Sequence, residues 1–291
     1  MDWPHLLIAL VGTLIAPFAV ALLMGIDRKL TARAQNRVGP PILQPLYDLF
    51  KLIGKRTMVV NKSQLVLASL YFSMSALAVL LFLSGADLLL IFFVLSAAAM
   101  FYALAGYAVL SPYSQVGATR ELVQVISYEP VLLMVFLGVF LATGSMSSGP
   151  SEESLILKLP LMYVAMLLVL LIKLQKSPWD VAEAHTEIVH GPEVEYSGPS
   201  LGLVMLGHWY EAFLFFGIVS LFFGHPNAGL ALAGKLILVL LTLVVLVLID
   251  NSTARLRYGQ MAKYVLSIGL SICAVNALVL WAVSEGVVPW P

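Results

Sequence analysis

Eight long apolar runs restrict the possible folds of this chain more than any other feature. They cover approximately 5–26, 65–84, 88–110, 122–143, 159–174, 200–223, 232–249 and 262–284. A helix needs about 20 mainly apolar residues, each rising about 1.5 Å, to cross about 30 Å of hydrocarbon. Most of the runs meet or approach that length; the fifth is the shortest, and its ends are expected to extend further. Only 11% of the 291 residues are charged and 60% are hydrophobic, against roughly 25% charged in a soluble domain. Lipid cannot satisfy an open sheet edge, and barrel strands would read as short alternating segments. The expected fold is therefore an all-α integral membrane protein of about eight transmembrane helices, forming one domain over 1–291. The first run lacks a basic leader and a small-residue cleavage pattern, so it is expected to be retained as a span.

The polar segments alternate in charge. If those at approximately 27–64, 111–121, 175–199 and 250–261 share one side, only Lys158 and Lys235 of the 16 lysines and arginines fall on the other. Basic excess marks the cytoplasmic side. This predicts a multi-pass protein of the cell membrane with both termini outside. The acids balance the bases to a net charge of zero, and no nucleic-acid partner is expected.

Within 27–64, Leu43, Leu46, Tyr47, Phe50 and Ile53 recur at spacings of three and four after Pro40 and Pro41. That spacing predicts a short amphipathic helix with one apolar face, too short to span and lying along the inner membrane surface. The segment KSPWDVAEAHTEIVHGPEVEYSG is the second polar concentration, with Asp180, Glu183, Glu187, Glu193 and Glu195. Asp180 and Glu183 fit a capping box for a short helix that Gly191 and Pro192 would end. An acidic loop of this kind can also be simply solvated.

Redox and hydrolytic chemistry have few footholds here. Cys273 is the only cysteine and lies in the last apolar run, so no thiolate set exists for an iron–sulfur cluster, a zinc site or a disulfide. His185 and His190 of HTEIVH are five apart, about 140° around a helix and unlike the one-face pair of HExxH. No phosphate-binding loop, dinucleotide-binding glycine pattern or nucleophile elbow occurs. No cofactor is expected in this chain.

The intramembrane acids are the strongest functional signal. Glu129 of VISYEPVLLM follows Glu121 by eight residues on the same broad side of the fourth run, placing it about 10 Å below the inner end. Pro130 next to it leaves the carbonyl of Ile126 without its helical donor. Glu211 lies in the sixth run, one turn from His208. Ionisable groups at such depth usually mark ion or proton routes, although a carboxylate that merely pairs with an arginine or hydroxyl to join helices would look the same.

Four patterns occur in order, DRKLTARAQNRVGPP, LQPLYDLFKL, SPYSQVGATRELVQVISYE and SPWDVAEAHTEIVHGPEVEYSG, with helices between them. Together they resemble the membrane subunit NuoH of respiratory complex I and its relatives in membrane-bound nickel–iron hydrogenases and formate hydrogenlyase. The resemblance implies a cofactor-free hinge between a peripheral redox arm and an antiporter-like membrane arm. Its expected partners are hydrogenase-like large and small subunits, iron–sulfur subunits, antiporter-like subunits and the bilayer, with iron–sulfur clusters and a nickel–iron site held by those partners. Carried over by position, Asp27, Arg28, Arg33, Arg37 and Gly39 would form the first inner loop near the redox arm, with Arg120. Glu121 and Glu129 would begin a buried acidic path. Asp180, Glu183, Glu187, Glu193, Glu195 and Tyr196 would form the loop that links electron transfer to proton movement. Counted from EYSG, the family's glutamate on the sixth helix falls on His208, with Glu211 three residues later. The segment DNSTARLRYGQ is similar to the hydrogenase branch.

The leading expectation is thus a hydrogenase-type complex, fed by ferredoxin, that moves protons or sodium ions. A quinone-reducing NADH dehydrogenase and a sulfur-reducing complex are alternatives within the family. Outside it stand a secondary transporter, which should show an inverted helix repeat that is not visible here, and an inert membrane anchor.

Overall fold

The computed structural model describes residues 3–58, 61–149, 153–182 and 185–284. Its helices are α1 (Trp3–Ala34), α2 (Gln44–Ile53), α3 (Lys62–Leu83), α4 (Leu88–Tyr107), α5 (Pro112–Thr143), α6 (Leu155–Lys158), α7 (Pro160–Lys173), α8 (His185–Ile188), α9 (Pro199–Ser220), α10 (Ala228–Ser252) and α11 (Tyr258–Ser284). Seven of the described helices are long and apolar enough to cross a membrane. Within the described residues no strand forms, and one isolated bridge joins Asp87 to Ser147. This is the expected integral membrane helical bundle. The core gathers where α5, α7 and α9 meet, around Leu132, Val135, Val169, Leu170, Leu214 and Phe215, all fully buried. Around it α3 packs on α4 and α9, and α5 on α4 and α11.

Two helices are longer than their apolar runs. α1 continues through Asp27, Arg28 and Arg33 to Ala34, so these residues stand on a helix and not in a loop. Its 32 residues span about 48 Å, which carries its last turns beyond a hydrocarbon core of about 30 Å. The helix stops at Asn36, whose backbone is left-handed at φ 54°, ahead of Gly39, Pro40 and Pro41. α5 begins at Pro112, with proline in its first turn where a missing N–H costs nothing. It runs unbroken through Pro130. Glu129 is therefore about 26 Å from the start of its helix at 1.5 Å per residue, much deeper along it than the apolar run alone indicates. Counting apolar residues misses such extensions because helix propensity does not stop at the membrane surface.

The fifth run behaves oppositely. α7 holds only 14 residues, about 21 Å, and its ends fall inside the apolar run instead of extending past it. Proline at its first position and the short α6 before it set the limit. Its exposed N–H groups would be costly in hydrocarbon. Asn276 of α11 resolves this: its Oδ1 accepts from the N–H of Leu161 (3.0 Å) and Met162 (3.2 Å), and its Nδ2 donates to the carbonyl of Lys158 (3.2 Å). The side chain is 2% exposed. α7 is thereby capped from a neighbouring helix.

α2 is amphipathic at the expected place, but its faces are divided differently. Pro45 and Leu49 are its buried residues, with Leu49 and Leu52 lying against Gly202 of α9. Tyr47 and Phe50 point outward, more than half exposed, and Ile53, also more than half exposed, touches Gly202 only with its Cγ1. The apolar residues thus serve two surfaces, and Leu49, outside the expected stripe, joins the helix to the bundle.

Candidate functional site

α7 ends in an apolar sequence whose last residue is charged, and its shortness leaves that residue inside the bundle. Lys173 has a side chain only 6% exposed. Its Nζ lies 2.7 Å from Glu211 Oε2 on α9 and 4.0 Å from Glu121 Oε1 on α5. The rings of Tyr128 and Phe215 flank the ammonium at 5.3 and 6.0 Å, a cation–π setting. Both carboxylates are as buried as the lysine. Two acids therefore share one base at the junction of three helices. Glu121 and Glu211, two of the acids expected along the path, meet here through Lys173, a residue the sequence counts only among the inward bases.

The turn after α7 holds this cluster from the charged side. Gln175 has a left-handed backbone at φ 50°, a conformation that costs a non-glycine residue about 1–3 kcal/mol and persists where its surroundings enforce it. Its Nε2 donates to Glu121 Oε2 (3.4 Å) and Gln124 Oε1 (3.1 Å), and Gln124 Nε2 donates to the carbonyl of Trp179 (2.8 Å). Lys176 next to it bridges Asp27 at 2.8 Å and Asp250 at 3.4 Å. Asp27 is thus a partner of the loop base, and Lys176 and Asp250 are further residues that spacing alone did not single out.

A cavity of about 350 Å³ opens beside Lys173 and is lined also by Gln175, His208, Glu193, His190 and Arg28. It ends near the half-exposed pair of Arg28 and Asp48, 3.2 Å apart. His208 stands between the cavity and the α3–α4 layer. Its Nδ1 shares a hydrogen bond with the Tyr71 hydroxyl (2.9 Å), its Nε2 lies 3.2 Å from Glu193 Oε1, and its ring meets those of Tyr71 and Tyr102 edge-on. Gly207 allows this, since a side chain there would strike the Tyr71 ring. His208 and Glu211 do face one region, but each takes its own partner.

The acidic loop is tied down at several points. Arg120 meets Glu187 at 2.7 Å and donates to the carbonyl of Val181 (3.2 Å). Asp180 pairs with Arg255 from the segment before α11. Gly117 of α5 lets the loop approach so closely that an added Cβ would lie 2.6 Å from Gly191 Cα. Pro192 follows Gly191 into a short 3-10 turn, Gly191–Glu193. Glu195 and Tyr196 line a small cleft with Gln64 and Met58, and burial, with Glu193 nearby, pushes the Tyr196 hydroxyl above its usual range. Glu183, the second half of the expected capping box, lies outside the described residues.

Not every expected site residue joins the cluster. Glu129 stands apart from Lys173, half-buried beside the outward Ile126 and Pro130, and its Oε1 has no hydrogen-bond partner among the described residues. Arg33 is exposed, and Arg37 turns to the Gln35 side chain. Gly39 lies where a Cβ would sit 3.0 Å from Ala32 Cβ, a role in seating the chain against α1.

Comparison with known proteins places this arrangement. The family model described as NADH dehydrogenase matches residues 7–281. The chain is 32% identical over 300 aligned positions to hydrogenase-4 component C of Escherichia coli, covering 94% of this chain and 95% of that protein. It is 32% identical over 279 positions to formate hydrogenlyase subunit 4 of the same organism, covering 82% and 88%. A chain in the solved structure of the membrane-bound sulfane sulfur reductase, an archaeal respiratory membrane complex, superposes with a TM-score of 0.84 at 26% identity, covering 95% of this chain and 99% of that one. With the family model matched across nearly the whole bundle, this chain belongs to the NADH dehydrogenase family, and its relatives are membrane subunits of complex-I-like assemblies.

Proposed function

We propose that this chain couples electron transfer in a docked redox arm to ion movement through neighbouring membrane subunits, in a complex of the hydrogenase type fed by ferredoxin. The reading rests on one observation above the others: Lys173, Glu121 and Glu211 are buried together, yet Lys173 borders a polar-lined cavity that leads to the charged end of the bundle. Dry, sealed ion pairs would serve only to hold helices together. A cavity of this size has room for several water molecules at about 30 Å³ each, so the cluster has a route by which charge changes at the acidic loop are felt. Glu193 and His208 line that route, and Glu187 and Asp180 of the loop are tied to Arg120 and Arg255. A redox change in a companion subunit resting on this loop would alter its ion pairs and, through the cavity, the charge balance at Lys173. Clusters and any nickel–iron site belong to the companions. The pumped ion is a proton or sodium, the chain sits in the cell membrane with both termini outside, and the bundle acts as one domain.

The test is Glu211→Gln in the intact assembly, reconstituted in sealed vesicles. Electron transfer to an artificial acceptor should continue while ion movement per electron falls several-fold. If both stay at wild-type levels the coupling role fails, and the chain is an anchor. An electron flow that responds to added quinones or their analogues would move the complex to the quinone-reducing branch.

A further inference from the structure

We propose that Lys173 is the moving part of the buried cluster, its ammonium exchanging between Glu211 and Glu121 as one proton passes the other way between the two carboxyl groups. The inference rests on the coupling reading above and names the element that carries it. Three observations support it. The cluster has one base for two acids, so with both acids ionised it carries a surplus negative charge in a place where uncompensated charge is expensive. The two carboxylates are unequally served. Glu211 holds the ammonium at 2.7 Å on Oε2 while its Oε1 is buried without a hydrogen bond among the described residues. Glu121 stands 4.0 Å from the ammonium and accepts a long 3.4 Å hydrogen bond from Gln175. Finally, Lys173 is the last residue of its helix, followed by the left-handed Gln175, and it borders the cavity, so its side chain has room to swing about a fixed helix end.

The exchange balances simply. In one state Glu211 is a carboxylate paired with Lys173, and Glu121 is a neutral acid donating its hydrogen. In the other, Glu121 is the carboxylate under the ammonium, and Glu211 carries the proton. Net charge is the same in both states, and the ammonium's displacement is on the order of the difference between a contact and a near-contact ion pair. The proton that leaves one carboxyl is taken up by the other within the cluster, where both acids lie within 4.0 Å of the same ammonium. Gln175 connects the exchange to the loop, because its amide contacts Glu121 and Gln124, and Gln124 contacts the carbonyl of Trp179.

Redox-induced infrared difference spectra of the intact purified complex test this directly. The wild type should show a pair of protonated-carboxyl bands, one lost and one gained, on reduction of the complex. Glu121→Gln and Glu211→Gln should each abolish the pair, because the shared proton then has no second carboxyl to leave or to reach. Lys173→Met should abolish it too, and Lys173→Arg, which keeps the charge, should retain a shifted pair. Subunit content by mass confirms that each variant assembles. The proposal is overturned if the pair survives Lys173→Met, or if the two glutamine variants leave it unchanged. Loss of ion movement in Glu211→Gln with no carboxyl band pair in the wild type would also overturn the exchange while leaving the coupling role standing.

Discussion

Replacing Lys173 by methionine tests the energetic reasoning about the cluster. The substitution keeps length and removes charge. It leaves Glu211 and Glu121, with side chains 4% and 5% exposed, without their cation. Removing one member of a buried pair costs about 3–5 kcal/mol, because the stranded charge keeps its desolvation penalty. Adding Glu211→Gln takes away the carboxylate that held the ammonium at 2.7 Å. The double variant should therefore recover about 1–3 kcal/mol relative to Lys173→Met alone, the usual range of interaction energy for residues in contact. Since about 1.4 kcal/mol is tenfold in an equilibrium, the recovery is readily visible. The assay is a graded titration of the detergent-solubilised complex with a denaturing detergent, following helix content and subunit release. The reasoning is refuted if Lys173→Met is as stable as wild type, or if adding Glu211→Gln destabilises it further.

Two other perturbations probe features that position the cluster. Asn276→Leu strips the cap from α7 and strands two buried N–H groups, each worth about 1–3 kcal/mol; the same titration should show a loss of about 2–6 kcal/mol, whereas Val275→Leu on the exposed side of α11 should show none. Gly117→Val drives a side chain into Gly191 and should release the acidic loop from α5, read as faster proteolysis between Trp179 and Tyr196 with the transmembrane core still protected; unchanged cleavage would contradict the packing.

The spans were legible because burying or exposing backbone to lipid allows few solutions, and long apolar runs have only one. Their ends were not, since Asp27 and Arg28 continue α1 as readily as leucines would, and Pro112 starts α5 well before its apolar stretch. Likewise Glu129 and Glu211 could be singled out as acids in apolar surroundings, a pattern that survives without any knowledge of packing, and Glu121 entered through its spacing from Glu129. Lys173 could not. It stands at the edge of an apolar run, where lysines usually reach the headgroups, and only the shortness of α7 and its cap from Asn276 draw it inward. Tyr71 and Asn276 are invisible for a related reason: their partners, His208 and the first turn of α7, are more than a hundred residues away. The outward apolar residues of α2 were legible as those of a surface helix, whereas Leu49, which seats it on the bundle, was not, because its partner Gly202 is far away in sequence.

The account depends on charge in the Lys173 cluster governing how electron flow responds to an ion gradient. The most direct measurement is electron-transfer rate in sealed vesicles before and after an uncoupler collapses the gradient, for wild type and Glu121→Gln. The wild type should accelerate several-fold on uncoupling, while the variant should run at one rate in both conditions. A variant that keeps the full uncoupler response, with its companion subunits in place, would contradict the account.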